Sequence, residues 1–368
     1  MNIVDAFKNK SILVTGHSGF KGSWLCLWLK ELGAHVHGYS LMPEKGQNLY
    51  TLLNISDMLT SECMGDIRDS TLLLDYISET KPDYIFHLAA QSLVRRSYLM
   101  PVLTFDVNIL GSINILESIR QINRACVVIM VTSDKCYQNN EQIWGYRECD
   151  PLGGNDPYSA SKAAAELVIS SYQKSFFNRD YLNDNGIKVA TVRAGNVIGG
   201  GDWAEDRIIP DAVRSVVSGT NLILRNPEAV RPWQYVLDPL SGYLLLAGKM
   251  MFSIDKSISF TSPWNFGPDN NGLLTVKEVV DLFYSEWGKG TTIQDNSKTH
   301  PHESGVLTLS CEKSKQFLKW KSIFELKDSI RRTSSWYKDL YNGNNIKNRS
   351  LEEIRFATNE IRKLYTNI

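Results

Sequence analysis

The sequence lacks an excess of charge of either sign, because 40 Lys and Arg residues balance 40 Asp and Glu residues among 368. Without a basic surplus, little is available to neutralise a long phosphate backbone, which argues against nucleic acid as a partner. A long hydrophobic stretch is also missing. The longest strictly apolar run, 125–131, is far shorter than the ~20 residues of a membrane helix, and residues 1–10 contain no signal-peptide core. We therefore expect a cytoplasmic protein with no membrane partner.

Cysteine and histidine are scarce as well, with six residues of each. The cysteines form no C-x-x-C pair and are widely scattered, which is typical of reduced thiols rather than of a disulfide framework. His35 and His37 alternate on a predicted strand, and His300 and His302 flank Pro301. Neither pair has a cysteine or carboxylate cluster to complete a ligand set, so we predict no metal site.

What is present is an alternation of apolar runs and helical patterns in a chain long enough for two or three domains of about 100–200 residues. Short β-rich runs followed by helical periodicity predict an α/β fold with a doubly wound, Rossmann-like parallel sheet. The predicted strands are 11–15, 35–39, 84–88, 127–131 and 188–193, and the predicted helices include 24–32, 107–119 and one starting near 158.

This rhythm breaks after residue 193, where glycines and prolines cluster and the elements become short. We predict a dinucleotide-binding domain over 1–190, and a smaller, interleaved substrate lobe over 191–345 with some return to the first domain. Residues 346–368 are predicted to form a C-terminal helix or tail. Ser350 and Glu353 match a capping box before this helix, which we expect at the surface or in a subunit contact.

The strongest local signal is a run of glycines at a G-x-x-G-x-x-G spacing, Gly16, Gly19 and Gly22, between the first strand and the first helix. Backbone N–H groups and the helix dipole can face a pyrophosphate there without side-chain obstruction. The alternative is a tight turn with three convenient glycines. The strand and helix on either side match the context of a dinucleotide motif, which favours nucleotide binding.

The second strand, by contrast, ends without the acid that usually grips the adenosine ribose in such folds. Residues 37–41 read His-Gly-Tyr-Ser-Leu, which weakens any preference for NAD over NADP and suggests loose retention of the cofactor. Asp66 and Ile67 follow a predicted third strand and could meet the adenine. Equally, Asp66 or Asp69 could serve as a helix N-cap.

A Tyr-x-x-x-Lys pair, Tyr158 and Lys162, begins a predicted helix and places both side chains on one face. Chance alone yields about one Tyr-x-x-x-Lys pair in a chain of this composition. The pair is therefore informative only because of its position in the predicted fold. Ser133 follows the buried run 127–131 and is therefore placed at the carboxyl end of a predicted strand. Open α/β sheets bind ligands at the carboxyl ends of their strands. A lysine ammonium and a nicotinamide cation would favour the phenolate of Tyr158 as a base. The alternative is that Tyr158 packs and Lys162 is solvated.

Taken together, the glycine motif, residues 87–91 (HLAAQ), Ser133 and the Tyr158/Lys162 pair resemble the extended short-chain dehydrogenase/reductase superfamily that acts on nucleotide sugars, over roughly residues 8–340. More narrowly, four segments resemble the CDP-D-glucose 4,6-dehydratase family. These segments are 15–24, 132–137, 193–204 and 231–236.

This resemblance implies a redox-neutral dehydration that uses NAD, with NADP left open. Tyr158 would take the proton from sugar O4 while hydride passes from C4 to the cofactor. The ketone acidifies C5–H, the C6 hydroxyl leaves as water, and the hydride returns to C6. CDP-glucose, a small-molecule nucleotide sugar, would thus become CDP-4-keto-6-deoxy-D-glucose, for 3,6-dideoxyhexoses of surface polysaccharide.

The resemblance also implies roles for individual residues. Asp134 would be the acid for the leaving hydroxyl, which requires a raised pKa. Lys135 stands where related dTDP-sugar enzymes carry the C5 base, a glutamate. Lysine is a base only when neutral, so either its pKa is depressed or another group serves. The implied cofactor contacts are Gly16, Gly19, Phe20, Gly22, Asp66, Ile67, Leu88, Ala89, Tyr158 and Lys162.

The implied substrate contacts lie partly in the second lobe. Gln91 and Ser92 would lie beside the hexose, Asn196 at the sugar phosphate, and Arg207 and Arg231 at the pyrophosphate. Two arginines suit bidentate phosphate contact, although Arg231 could equally be a surface residue.

Two other functions stay open at this stage. A nucleotide-sugar 4-epimerase would stop after C4 oxidation, although it needs no charged pair beside the active-site serine. A nucleotide-sensing regulator would need no proton-transfer set. The superfamily resemblance further implies a homodimer or homotetramer formed by helices 107–119 and 163–176, although both could pack within one subunit.

Overall fold

The computed structural model of the chain describes residues 3–177, 186–252, 259–268, 273–295 and 307–365. The His300/His302 pair lies outside these ranges. The strands are β1 (Ser11–Thr15), β2 (His35–Ser40), β3 (Ser61–Met64), β4 (Tyr84–His87), β5 (Cys126–Val131), β6 (Ile187–Ala194), β7 (Val197–Ile198), β8 (Leu222–Leu224), β9 (Val230–Arg231), β10 (Gln234–Tyr235), β11 (Pro263–Phe266), β12 (Leu274–Thr275) and β13 (Thr292–Gln294).

Helices cover both faces of the main sheet and form much of the second half of the chain. They are α1 (Phe20–Glu31), α2 (Leu49–Leu52), α3 (Ser70–Thr80), α4 (Val94–Leu99), α5 (Pro101–Phe105), α6 (Gly111–Ile122), α7 (Pro157–Ser175), α8 (Ile208–Ser218), α9 (Leu237–Phe252), α10 (Val276–Trp287), α11 (Leu326–Tyr341) and α12 (Ile346–Tyr365).

Seven of these strands form one sheet in the order β3-β2-β1-β4-β5-β6-β11. Each neighbouring pair is parallel. Parallel strands buried on both faces read as continuous apolar runs, and β5 is such a run, Cys-Val-Val-Ile-Met-Val. The predicted doubly wound, Rossmann-like α/β fold is therefore confirmed.

The order of strands reverses between β1 and β4, which creates the crevice where open α/β sheets bind ligands. The glycine turn follows β1, the HLAAQ segment overlaps the end of β4, and Ser133 follows β5 closely. Because all these strands are parallel, their carboxyl ends meet along one edge. The polar residues of the predicted site are thereby brought to one side of the sheet.

Two hydrophobic clusters separate the sheet from its helices. One contains Trp24 and Trp28 of α1 together with α9 and α12 residues, and the other contains Ile115 of α6 and Ile169 of α7. Along β1, Leu13 belongs to the second cluster and its neighbours Ile12 and Val14 to the first. This alternation follows from the period of two in a strand, so the sheet is the middle of three layers.

After β6 the chain forms three two-stranded pairings, β7 with β10, β8 with β13 and β9 with β12. Between them, β11 returns to the main sheet and pairs with β6. Helix α9 packs against β5, β6 and α1. The second half of the chain thus contributes both to a set of short pairings beside the strand ends and to the main sheet itself.

A continuous helical segment runs from α5 to α6 through a π-helical turn, Asp106–Leu110. By length and composition, Pro101–Ile122 could cross a membrane, and half of its most apolar window is buried inside the fold. It packs against α3 and α7. This segment is therefore part of the packed layer on one face of the sheet.

The C-terminal helix differs from the prediction at its start. It begins at Ile346, so Ser350 and Glu353 lie inside it and form no capping box. Ser350 accepts a hydrogen bond from the Trp336 indole at 2.9 Å instead. The helix also packs on α1, α9 and α11 and buries Ile354 completely. Its apolar stripe therefore belongs to the core of its own chain, whereas its other face, which includes the 41% exposed Phe356, lies at the surface; the subunit contact stays a prediction.

Candidate active site

The glycine turn after β1 requires glycine for steric reasons. Gly16 has a φ of +72°, and a Cβ there would lie 2.7 Å from the backbone N of Ala89 and 2.9 Å from the carbonyl carbon of Leu88. A Cβ on Gly22 would lie 2.1 Å from the Gly16 oxygen. The turn therefore packs directly against the end of β4 and leaves no room for side chains.

This turn fits a dinucleotide pyrophosphate. Helix α1 begins at Phe20, and its N-cap residue Gly19 offers no side-chain cap. The N–H groups of the first helical turn are thus available for an anion, which the helix dipole also favours. The Phe20 ring lies near Gly199, where a Cβ would be 3.3 Å away, so the turn also meets the second half of the chain.

Asp66 and Ile67, the two residues predicted to meet the adenine, both contact other residues of the protein. Asp66 pairs with Arg68 at 2.6 Å, and that hydrogen bond lowers the carboxyl pKa. The Ile67 side chain is buried in the core. Asp69, rather than Asp66, caps helix α3 by accepting a backbone N–H at 3.0 Å. The capping alternative is therefore confirmed for Asp69.

The glycine turn also carries a buried histidine that faces the second strand. A Cβ on Gly38 would lie 2.7 Å from the His17 ring, and His17 Nε2 lies 2.6 Å from a Glu62 carboxylate oxygen. Tyr50 donates to the same carboxylate at 2.9 Å. Glu62 on β3, which lies opposite Gly38 of β2 in the sheet register, is thus occupied by these partners.

Three groups of the predicted catalytic set converge after β5. Ser133 Oγ donates to Asp134 Oδ1 at 2.9 Å, and the Ser133 side chain lies near enough to the Tyr158 phenol to lower its pKa. Each side chain belongs to a residue less than a tenth exposed. Asp134 Oδ2 has no hydrogen-bond partner among the described residues. The hydroxyl, the phenol and the carboxyl thus share one buried cluster, as the sequence predicts.

Helix α7 supplies the tyrosine and lysine because its start is well defined. Asp156 is the N-cap and accepts a backbone N–H at 2.9 Å, and Pro157 occupies the first turn. Tyr158 and Lys162 follow one turn apart. The Lys162 ammonium donates to the Val131 carbonyl at 3.3 Å, which joins the helix to the end of β5. The solvated lysine of the alternative interpretation is therefore wrong.

Burial is the largest cause of the pKa shifts of these groups. It raises the pKa of the Asp134 carboxyl, against the nearby charge of Lys135, and it lowers the pKa of Lys162 to about 8. Burial also raises the pKa of Tyr158 to about 12, although the nearby Ser133 side chain opposes the rise. Asp134 is thus suited to donate a proton. Within the protein, burial outweighs the groups that favour the Tyr158 phenolate.

Lys135 lies in the same turn with a half-buried side chain. Its backbone N–H donates to Ser133 Oγ at 3.2 Å, and its charge lowers the pKa of Asp134. These contacts place Lys135 beside the acid.

The side-chain amide of Gln91 forms hydrogen bonds with neighbouring residues of the protein. Its Oε1 accepts the backbone N–H of Leu93 at 2.7 Å, and its Nε2 donates to the Thr104 hydroxyl at 2.9 Å. The side chain is therefore held in place after β4. The structure fixes its position near the strand ends, and a sugar contact stays a prediction.

Ser92 and Arg207 meet across the two halves of the chain. Arg207 donates to Ser92 Oγ at 3.2 Å and to Asp202 Oδ2 at 2.9 Å. The arginine side chain is 35% exposed, so it lies at the rim of the cluster. The charge of Asp202 is the main cause that raises the pKa of Arg207, and Tyr158 acts in the same direction.

Asn196 and Arg231 lie on neighbouring segments of the second half. The Asn196 carbonyl accepts the backbone N–H of Gln234 at 3.0 Å, and a Cβ on Gly195 would lie 3.3 Å from Asp134 Oδ2. These segments therefore border the acid. Arg231 is only 8% exposed, so the alternative of a surface arginine is wrong.

One site residue had no role in the sequence analysis, although it stands in the glycine motif. Lys21 is a lysine whose pKa burial lowers to about 8, with the charges of Arg207 and Lys162 acting in the same direction. The charge of Asp134 opposes this shift. Lys21 therefore joins the cluster from α1, a position that only the helix geometry reveals.

A second group without an assigned role is a buried ion pair behind the cluster. Glu166, four residues after Lys162, pairs with Arg193 of β6 at 2.8 Å, and their side chains are 2% and 1% exposed. The Thr132 hydroxyl donates to Glu166 Oε1 at 2.5 Å. Helical spacing from Lys162 was a signal that could have pointed to Glu166.

The described residues contain no cluster of three or more potential metal ligands. The six cysteines are free thiols, four of them buried and Cys149 exposed. The groups that the described residues bring to the site are hydroxyl, phenol, carboxyl and amine. These are the groups needed for proton transfer beside a hydride acceptor.

Comparison with known proteins agrees with this geometry. Residues 13–333 match the family model of GDP-mannose 4,6 dehydratase. The chain belongs to this family. It is 45% identical over 332 residues, 90% of the chain and 91% of the relative, to CDP-glucose 4,6-dehydratase of Salmonella typhimurium strain LT2.

Solved structures of related enzymes share the fold. A Thermus thermophilus UDP-glucose 4-epimerase in complex with NAD has a TM-score of 0.74 at 25% identity, covering 89% of this chain and 98% of that chain. A dTDP-glucose 4,6-dehydratase of Streptomyces venezuelae, with NAD and TYD bound, also has a TM-score of 0.74 at 24% identity, covering 90% and 98%. The second likeness concerns the fold alone.

Proposed function

We propose that this chain is an NAD-dependent CDP-D-glucose 4,6-dehydratase. The observation that carries the proposal is the buried Asp134 carboxyl, with one oxygen on Ser133 and the other unpartnered among the described residues. A C4 oxidation followed by reduction needs no such acid. Loss of the C6 hydroxyl as water does, because hydroxide is a poor leaving group until it is protonated.

The residues of the cluster divide the proton transfers between them. Tyr158 takes the proton from sugar O4, with Ser133 hydrogen-bonded to the same oxygen. Burial raises the pKa of the Asp134 carboxyl, which favours the protonated form that donates to the C6 hydroxyl as C5–H is removed. Lys162 fixes the region beneath Tyr158 through its bond to the end of β5.

NAD, held by the glycine turn and the end of β4, would supply a hydride acceptor at C4, a hydride donor at C6 and positive charge beside the phenol. The protein residues named for this role are those of the glycine turn (Gly16, Gly19, Phe20 and Gly22), the end of β4 (Leu88 and Ala89) and helix α7 (Tyr158 and Lys162). Hydride leaves and returns within one catalytic cycle, so no external oxidant is consumed.

For the C5 base we propose the neutral amine form of Lys135, since the residue lies in the same turn as Asp134 and is half-buried. For the substrate we propose Gln91 and Ser92 beside the hexose, and Asn196, Arg207 and Arg231 along the phosphates. The partly exposed guanidinium of Arg207 supports the last assignment, because arginine presents paired N–H donors to phosphate oxygens.

The choice of CDP follows the relative that is named a CDP-glucose 4,6-dehydratase and is 45% identical. The test is product analysis with purified protein, NAD and a panel of CDP-, UDP-, dTDP- and GDP-glucose. We expect a 4-keto-6-deoxy sugar from CDP-glucose, no net NADH, and the same assay silent with Tyr158→Phe. Folded wild-type protein that yields no keto sugar from any donor would refute the proposal.

A 4-epimerase is the second function to test, because a UDP-glucose 4-epimerase shares the fold at 25% identity. The two reactions differ at C5. Dehydration in D₂O incorporates solvent deuterium there, whereas epimerisation leaves C5–H untouched. Product NMR or mass spectrometry in D₂O therefore separates them, and a product with unlabelled C5 would favour the epimerase.

We further propose a cytoplasmic homo-oligomer. Large apolar side chains are exposed on one side of the fold around α4, α5 and α7, where Leu99 is 83%, Val102 72% and Leu167 62% exposed. Exposed apolar patches of this kind mark protein contacts. Light scattering of purified protein should give a dimer or tetramer, and Leu167→Glu should shift the mass toward the monomer.

A further inference from the structure

The buried ion pair between Glu166 and Arg193 is more elaborate than core packing requires. Both nitrogens of a guanidinium fork reach the carboxylate, Nε at 2.8 Å and Nη2 at 2.8 Å. The Thr191 hydroxyl donates to the same carboxylate at 2.9 Å. Burial alone would raise the pKa of Glu166, yet its contacts with Arg193 bring it below the ordinary value. The pair is therefore charged and fully partnered.

This pair holds both ends of the turn that follows β5, residues 133–137. At its start, Glu166 accepts the hydroxyl hydrogen of Thr132, the residue before Ser133. At its end, Arg193 Nη1 donates to the Tyr137 hydroxyl at 2.8 Å, and the guanidinium carbon lies 4.8 Å from the Tyr137 ring centre. The turn that carries Ser133 and Asp134 is thus anchored on one ion pair.

The same carboxylate is the negative charge beside Lys162. Glu166 raises the pKa of Lys162 against the larger effect of burial. The other titratable groups that interact with Lys162 are Cys136, His87 and Lys21. Burial raises the pKa of Cys136 and lowers that of His87 to about 3, so both are neutral. Within this set, Glu166 and Lys21 carry the charges.

An ion pair buried this deeply is costly to desolvate and is often no more stable than apolar residues in its place. Stability alone therefore gives little reason for it. A fixed geometry does, because a proton-transfer set loses much of its effect when its groups are misplaced by even 1 Å.

We propose that Glu166 and Arg193 are positioning residues, which hold the 133–137 turn against helix α7 and place a negative charge beside Lys162. The inference rests on the proposed function, since it assigns their effect to the dehydration. It adds two residues that touch neither sugar nor cofactor and act through Thr132, Tyr137 and Lys162.

Two variants separate geometry from charge. Glu166→Gln removes the charge, and we expect kcat to fall at least about tenfold and the alkaline limb of the pH profile to move about one unit lower. The limb moves down because Lys162 loses its neighbouring anion and gives up its proton more readily. Thr132→Val removes the hydroxyl that donates to Glu166 at 2.5 Å and to the Val192 carbonyl at 3.3 Å, and leaves the carboxylate charge in place. We expect kcat to fall about threefold to tenfold, with an unchanged KM and an unmoved alkaline limb.

The matched control is Glu353→Gln, on the C-terminal helix. Glu353 is also 2% exposed and pairs with Arg332 at 2.6 Å and with Arg349 at 2.9 Å, so this variant likewise leaves arginine beside a neutral amide. It should lower the melting temperature comparably to Glu166→Gln, yet leave kcat and the pH profile at wild-type values. Melting curves of all variants are recorded before kinetics.

Hydrogen exchange supplies a readout that needs no turnover. In both Glu166→Gln and Thr132→Val, the peptide containing residues 132–137 should exchange at least about tenfold faster than in wild type, and Glu353→Gln should not change it. Wild-type protein without dehydratase activity, combined with faster exchange in the variants, would refute the proposed function and leave the anchoring intact.

The positioning role itself is overturned if folded Glu166→Gln keeps the wild-type pH limb and a kcat within twofold of Glu353→Gln. If Glu166→Gln does not fold, the positioning role is tested with Thr132→Val alone. Wild-type kcat and wild-type exchange in that variant would then overturn the proposal.

Discussion

The two ends of the dinucleotide crevice hold their polar groups in different ways. At the end formed by β5 and β6, Ser133, Asp134 and Tyr158 are each less than a tenth exposed; Ser133 donates a hydrogen bond to Asp134, and both residues affect the pKa of Tyr158. At the end formed by β2 and β3, the Asp66 side chain is 29% exposed and pairs with the 38% exposed Arg68. The first end is a buried network, and the second a solvated ion pair.

The difference shows at which end of the crevice burial changes the pKa of the polar groups. A buried group changes its pKa strongly because no water compensates its charge, whereas a solvated pair gains little from its partner. We therefore expect substitutions at the β5–β6 end to change turnover and its pH dependence. Substitutions at the β2–β3 end should change cofactor affinity slightly.

The largest effect is expected from Tyr158→Phe. Loss of the phenol removes the group that takes the O4 proton, and proton-transfer groups contribute about 10²–10⁴-fold. Turnover should fall about 10³-fold, while NAD affinity, measured by calorimetry, changes less than about threefold. Turnover within tenfold of wild type would remove Tyr158 from the mechanism.

Asp134→Asn should cost about 10²-fold in product formation, because the amide cannot protonate the leaving hydroxyl. Oxidation at C4 needs no acid at this position. Reduced nicotinamide absorbance should therefore accumulate when the variant meets CDP-glucose in single-turnover experiments. A variant that forms product at the wild-type rate would assign the acid role elsewhere.

The pH profile should fall on its alkaline side near pH 8. Burial lowers the pKa of Lys162 to about 8, so the ammonium is present below that pH and lost above it. Activity should then decline about tenfold per pH unit. Lys162→Arg, whose charge persists to far higher pH, should move this limb upward if the variant folds. A limb at the same pH in both proteins would contradict the assignment.

The smallest effect is expected at the other end of the crevice. Asp66→Asn should change the Kd for NAD by less than about threefold, since an exposed ion pair contributes about 0–1 kcal/mol. Calorimetric titration of both proteins with NAD provides the measurement. A loss of tenfold or more would mean that the Asp66 carboxylate grips the cofactor, and the contrast between the two ends would fail.

Much of the fold was predictable because its signals are local. The apolar run of β5 and the glycines of the first turn need no distant partner to be interpreted, and both lie where the sequence places them. The C-terminal helix was less tractable. By spacing, Ser350 resembles an N-cap. In the structure its hydroxyl accepts a hydrogen bond from Trp336 of helix α11 instead, and local spacing contains no information about such a partner.

The site divides in the same way. Tyr158 and Lys162 share a helix, and Ser133 and Asp134 share a turn, so their pairwise proximity follows from the sequence. The roles of Lys21 and Glu166 depend on approach from other elements. Lys21 reaches the cluster from α1, and Glu166 meets Arg193 of β6 only after the strand has joined the sheet.

By itself, the sequence determined the parallel sheet, the glycine turn and the identity of the proton-transfer groups, since strand periodicity and motif spacing are properties of neighbouring residues. Tertiary structure alone decided which groups are buried together. Burial sets the protonation of Asp134 and Lys162 and closes the Glu166–Arg193 pair, because desolvation depends on every element packed around a group.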